Sequence, residues 1–219
     1  MKRKNIALFA MALMFTVTSG AQNLPVIPLN VPSKERGSSV MEALANRRST
    51  REFSPEKLSL QDLSDLLWAA NGVNRPDGRR TAASARNNQD IDLYVIMEEG
   101  AYLYDAKAHR LIQVEKGDYR GLIADIQMPI RQAPVFLLIV SDLSRFTGMD
   151  LETQKYLGAL DAGIVAQNIM LFASACGFVT VPRIFMKNAK EELKQVLHLS
   201  ETQELMLNNP VGYPLEEKE

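Results

Sequence analysis

The segment from Asp150 to Ala175 constrains the fold most. Its second half carries Ile164, Val165, Ile169, Met170, Leu171 and Phe172 around most of a helix circumference. A helix that is apolar on nearly all sides has to be buried on nearly all sides. A chain of 219 residues has few elements to spare for such a wrap, so a second subunit is one source of the missing cover. Small and polar residues interrupt the segment at Asp161-Ala162-Gly163 and at Gln167-Asn168. A tight packing interface is the plainer reading of that interruption, and chemistry is the other.

With 46% hydrophobic and 23% charged residues, the chain can bury one large core and is short for two. Its 25 basic and 26 acidic residues nearly cancel, which excludes a global field that recruits nucleic acid or an anionic membrane. Cys176 is the one cysteine, which excludes an intrachain disulfide and a cysteine-based metal site. With only His109 and His198, a zinc centre would rest mainly on carboxylates. Lys2, Arg3 and Lys4 precede the apolar run Ile6 to Val17 and the small residues Ser19-Gly20-Ala21. Residues 1–21 are therefore expected to be a signal peptide, too short in its apolar part to stay as a stable membrane anchor. An uncleaved anchor or a buried helix is the competing reading. Cleavage removes three positive charges and no negative ones, taking the formal charge from −1 to −4. The mature chain is expected to be exported, periplasmic or secreted.

Residues 22–38 hold Pro25, Pro28 and Pro32, which favours an extended arm that needs a surface to lie on. The capping box Ser39-Val40-Met41-Glu42 starts a helix that runs into Arg47. Ser59 and Asp62 cap a second helix with Leu60, Leu63, Leu66, Leu67 and Ala70 on one stripe, ended by Gly72. Asn74 to Asn88 reads as an irregular loop. Ile91–Met97, Ala101–Asp105 and Leu111–Val114 read as strands, and Pro134–Val140 as a central strand buried on both faces. After the stop at Gly177, Phe178–Phe185 is expected to be a strand interrupted at Pro182. Asn188 and Glu191 cap a last helix, and Leu205–Val211 forms the last strand. No repeat or linker divides residues 39–219, which read as one domain.

Arg47-Arg48-Ser49-Thr50-Arg51-Glu52-Phe53 gathers three guanidinium and two hydroxyl groups in five consecutive positions, a set suited to phosphate or carboxylate oxygens. Because a helix C-terminus repels anions, the arginines themselves must do any binding. A solvated basic surface is the alternative. Ser84-Ala85-Arg86-Asn87-Asn88-Gln89 places amide, hydroxyl and guanidinium donors immediately before a strand, a usual position for ligand contacts. Gly177 to Arg183 leads a glycine into a strand whose backbone can approach a flat ligand. Cys176 and Trp68 read as core residues, and the two histidines as surface residues.

In this order and spacing these stretches resemble the nitroreductase family of flavin-dependent oxidoreductases, over about Val40 to Pro214. The basic cluster is similar to the family's Arg-Arg-Ser-x-Arg-x-Phe signature. Ala83 to Gln89 is similar to its Pro-Ser-x-x-Asn-x-Gln segment. Asp161-Ala162-Gly163 with Gln167-Asn168 is similar to its central helix, and Gly212-Tyr213-Pro214 to its closing motif. The tract Gly78-Arg79-Arg80-Thr81-Ala82 with Ile91–Val95 looks closer to the branch related to peptide-modifying azoline oxidases.

The resemblance implies an α+β fold with a central, mostly antiparallel sheet flanked by helices, one long buried central helix and an intertwined homodimer with FMN at the interface. It implies that Arg47, Arg48 and Ser49 hold the phosphate and ribityl oxygens, with Arg51 beside the polar edge of the ring. It also implies that Ser84, Asn87 and Gln89 belong to the site, and that backbone groups of Val179, Thr180 and Val181 face the flavin. The protein then needs no catalytic acid or base of its own, and a small organic molecule is the substrate. NAD(P)H is the family's usual donor and should be scarce outside the cytoplasm, so a redox partner or the substrate itself is the other source of electrons. A flavin-binding module without turnover is the alternative to an enzyme. Two departures stand out: Ala83 replaces the proline, and Lys218 is the one basic residue after Gly212-Tyr213-Pro214 that can stand for the family's closing basic pair.

Overall fold

The computed structural model describes residues 25–215. The expected signal peptide at 1–21 and Lys218 lie outside the described residues. Side-chain alternation sets the layers. In β2 (Ile91–Met97) and β5 (Val135–Asp142), successive side chains point to opposite faces, and both faces are apolar. Leu93, Val95, Leu137 and Ile139 pack on one side, and Tyr94, Ile96, Phe136 and Leu138 on the other. Every residue of β5 except Asp142 is buried, as its continuous hydrophobic run requires.

The remaining strands are β1 (Val26–Pro28), β3 (Gly100–Asp105), β4 (Arg110–Lys116), β6 (Val179–Thr180) and β7 (Gln203–Gly212). They complete a seven-stranded sheet in the order β1-β4-β3-β2-β5-β7-β6, antiparallel at every pairing. The N-terminal arm finds its surface on β4. The arm's Asn30 amide donates to Ser64 Oγ at 2.9 Å and its Ser33 amide to Asp65 Oδ1 at 2.7 Å.

Helices α1 (Val40–Asn46), α2 (Leu60–Asn71) and α4 (Leu151–Cys176) form the layer on one face. The short α3 (Arg120–Ala124) and α5 (Lys187–Val196) cover the other. Ser39 caps α1 through the expected reciprocal box, and Ser59 caps α2 by accepting from the Asp62 amide. On α2, Leu63, Leu66, Leu67 and Ala70 are buried. Each leucine contributes roughly 1.5–3 kcal/mol by leaving water. Gly177 ends α4 with φ 80, and the Phe178 amide closes back on Ala173 O at 2.8 Å. This is the left-handed stop that glycine provides at low cost. Gly72 stops α2 differently. Its φ is −77, and a Cβ there would lie 2.5 Å from Trp68 Cδ1, so the close approach demands the glycine.

Several expectations are corrected. α4 is buried along one face only within the chain: Tyr156, Leu160 and Ile164 are 65%, 48% and 39% exposed. One chain supplies α1, α2 and the sheet as cover, which is too little to enclose a 26-residue helix. The strand expected over Phe178–Phe185 shrinks to Val179–Thr180 plus an isolated bridge from Arg183 to Asn208, because Pro182 has no amide to donate. α5 starts at Lys187 after Met186, with no side-chain cap, so Asn188 lies inside the helix. Trp68 is half-buried and donates to Val73 O at 3.0 Å. His109 is no free surface residue: Tyr104 Oη lies 2.9 Å from its Nδ1 and Asn30 O lies 2.9 Å from its Nε2.

Candidate functional site

The basic cluster owes its place to its last residue. α1 ends at Asn46, Arg47 turns out of helical geometry, and the chain then runs extended beside β6, with the Thr50 amide donating to Thr180 O at 3.0 Å. Phe53 closes the segment. It is 2% exposed and packs with the sheet face that carries Phe136, and the next amide, Ser54, donates to Tyr213 O at 3.0 Å. The anchor is apolar and the charged residues hang from it.

Arg47, Arg48 and Thr50 line a cavity of about 340 Å³ together with Met170, Ser174, Val179, Thr180 and Pro214. Among the described residues, neither Arg47, Arg48 nor Arg51 pairs with a carboxylate. The alternation of an extended segment separates the group: Ser49 and Arg51 do not line this cavity. Arg51 instead acts on Arg183, whose guanidinium is held below its ordinary range by burial, against Asp125, with the like charge of Arg51 adding to the fall. Of the expected backbone trio, Val179 and Thr180 reach the cavity, while the Val181 side chain is 2% exposed in the core under the opposite sheet face. Met170 and Ser174 on α4 were not among the expected residues, because nothing in an apolar helix marks which turn faces a cavity.

The second polar group lies elsewhere. Ser84 Oγ accepts from the Gln89 amide at 2.9 Å, Gln89 Oε1 accepts from Arg80 Nε at 3.1 Å, and Gln89 Nε2 donates to Gly78 O at 3.2 Å. Ser84 and the Gln89 side chain are therefore engaged within the loop, while Asn87 is exposed at its tip. Arg86, Asn87 and Gln89 have φ of 52, 56 and 49, left-handed values that non-glycine residues hold only under constraint. The loop docks on α4 through the Ala85 amide, which donates to Asp161 Oδ2 at 2.8 Å. Asp161 and Ser174 stand thirteen residues apart on one helix, about 20 Å at 1.5 Å per residue. The two polar groups thus sit at different levels of α4.

The geometry defines an α+β protein with a basic cavity at the edge of an antiparallel sheet, lined by no carboxylate among the described residues. Comparison with known proteins gives the class. The model of the Nitroreductase family matches residues 44–213, and the chain belongs to that family. Two similar proteins carry the name putative nitroreductase. One, MJ1384 of Methanocaldococcus jannaschii, is 32% identical over 185 residues, 80% of this chain and 91% of the relative. The other is a crystal structure from Ralstonia eutropha JMP134, 32% identical with a TM-score of 0.81, covering 90% of this chain and 93% of that one. The FMN reductase [NAD(P)H] of Bacillus subtilis is 24% identical over 187 residues, 80% of this chain and 66% of that protein.

Proposed function

We propose that the chain is an FMN-dependent oxidoreductase that passes two electrons, in ping-pong fashion, between a donor and a small organic substrate. The carrying observation is the pair Arg47 and Arg48, which line a cavity of about 340 Å³ without a carboxylate partner among the described residues. Free guanidinium groups fit the phosphate end of FMN, and Thr50 and Ser174 add hydroxyls at the same wall. Family membership and the similarity to a flavin reductase support the choice of group. When bound, FMN supplies the redox chemistry, and the protein supplies placement and charge.

One chain does not gather the whole site, since the Asn87 loop sits about 20 Å along α4 from the cavity. The apolar stripe Tyr156, Leu160 and Ile164 is the face a second copy would cover, in a homodimer whose FMN sites lie between subunits. NAD(P)H is the proposed donor. We further propose that residues 1–21 export the chain, in which case a redox partner replaces NAD(P)H. The tract Gly78–Ala82 supports a place in the branch related to azoline oxidases. A flavin-binding module without turnover is the competing reading, and one experiment separates the two. The FMN-loaded protein is reduced with NADPH or dithionite and then mixed with a nitroaromatic or a quinone. Rapid reoxidation under anaerobic conditions supports the enzyme, and a flavin that stays reduced supports the module.

A further inference from the structure

Beneath the loop that carries Asn87, two carboxyl groups meet in a dry place. Asp90, at the foot of β2, is 0% exposed, and Asp161 of α4 is 3% exposed. Asp90 Oδ2 accepts from Ser141 Oγ at 2.6 Å. Its Oδ1 is buried with no hydrogen-bond partner, and the neighbouring Asp161 adds to the upward push on the Asp90 pKa. The approach is built into the helix: one turn before Asp161, a Cβ on Gly158 would collide with Ser141 Oγ, so only glycine lets α4 close on β5 here. Two adjacent carboxylates in a desolvated site cannot both be charged without heavy cost.

The surrounding charges do not relieve them. Arg145, in the 3-10 turn after β5, is the cation that faces Asp90. Its guanidinium is committed to Asp92 at 2.8 Å, Asp142 at 3.2 Å and Gln89 O at 2.7 Å. β5 offers Ser141 and α4 offers Asp161. From α2, the neutral Asn71 donates to Ile91 O.

We propose that Asp90 and Asp161 share one proton, and that this proton positions the loop 84–89 by letting Asp161 stay close enough to hold the Ala85 amide. The orphaned Oδ1 then has its partner, with Asp90 as donor to Asp161. Asp161 keeps its other oxygen for Ala85, and the left-handed run at Arg86, Asn87 and Gln89 is fixed at its root. Asp90 and Asp161 are positioning residues. Burial pushes Asp90 up to about 7, with Ser141 opposing and Asp161 adding to the rise. Because the folded value is raised, the stability this group confers is complete below the ordinary aspartate range and is lost as pH rises through about 7. Above that, Asp90 takes on charge beside Asp161, and the Ala85 contact loosens.

The consequence for FMN, a weaker hold as pH rises, rests on the flavin reading, but the shared proton does not. The direct test is hydrogen exchange at the Ala85 amide of the full chain, corrected for the intrinsic rate, at about pH 5.5 and about pH 8.5. Wild-type protection should fall at least ~tenfold between them. Asp90→Asn should keep protection high and flat, because its carboxamide donates to Asp161 at every pH. Asp161→Asn should also be flat: its oxygen takes the Ala85 amide, its nitrogen donates to Asp90, and no like charge remains. A flat wild-type profile, or a wild-type profile retained in either variant, overturns the proposal. If one variant does not fold, the other and the wild type still decide. An FMN titration alongside keeps the readings apart: an exchange profile as expected without FMN binding sinks the flavin reading alone, and FMN binding with flat exchange sinks the shared proton alone.

Discussion

Truncating Phe53 tests whether the basic segment is held by an apolar anchor. The side chain is 2% exposed and lies against the end of β7, where a Cβ on Gly212 would come within 3.4 Å of its Cδ1. Phe53→Ala leaves a cavity between that strand end and the second core layer, and such changes cost about 3–5 kcal/mol. With a urea dependence of about 2 kcal/mol per molar, the unfolding midpoint should drop by about 2 M. The two backbone bonds that flank the anchor, from Thr50 to Thr180 and from Ser54 to Tyr213, should then open more often. FMN affinity should therefore fall at least ~tenfold even under conditions where the variant is fully folded. Urea unfolding at matched protein concentration reads the first effect, and fluorescence titration with FMN the second. A midpoint shift below about 0.5 M would refute the packing estimate. Unchanged FMN affinity in a destabilised variant would refute the link between anchor and site.

Other expectations follow from single features. Burial holds the His109 pKa below its ordinary value, against the pull of Asn30 O and Asp65. Its contribution is therefore present above the ordinary histidine range and lost as pH falls. The Leu29 amide, which donates to His109 O at 3.2 Å, should lose exchange protection below about pH 6, and a pH-independent arm would contradict this. Leu160→Asp places a charge in the exposed stripe of α4. It should weaken self-association by at least ~3 kcal/mol, about a hundredfold in Kd, read by sedimentation equilibrium. An unchanged mass at all concentrations would remove this face from the interface.

Much of the fold was legible because local chemistry and tertiary demand agree. Ser39 with Glu42, Gly177 and the β5 run each act as their residue types dictate. The failures have physical causes. The apolar circumference of α4 signals burial but not the source of the cover, so a single chain leaves part of it exposed. Asn188 has the chemistry of a cap, yet the α5 start falls at Met186 and Lys187. At the site, the sequence marks Arg47 and Arg48 by their density, but not the separation of Arg51 from them, which depends on an extended backbone. Asp90 carries no local signal at all. An aspartate before a strand is ordinary until α4, through Gly158, brings Asp161 against it.

The flavin site is tested most directly by FMN titration of the purified chain, followed by its visible spectrum, in the wild type and in Arg47→Ala. Wild type should take up FMN and retain its absorbance through gel filtration. Arg47→Ala should lose it while keeping the far-ultraviolet dichroism and the oligomeric mass of the wild type. Wild type that takes up no FMN, or Arg47→Ala that retains it fully, would contradict the assignment.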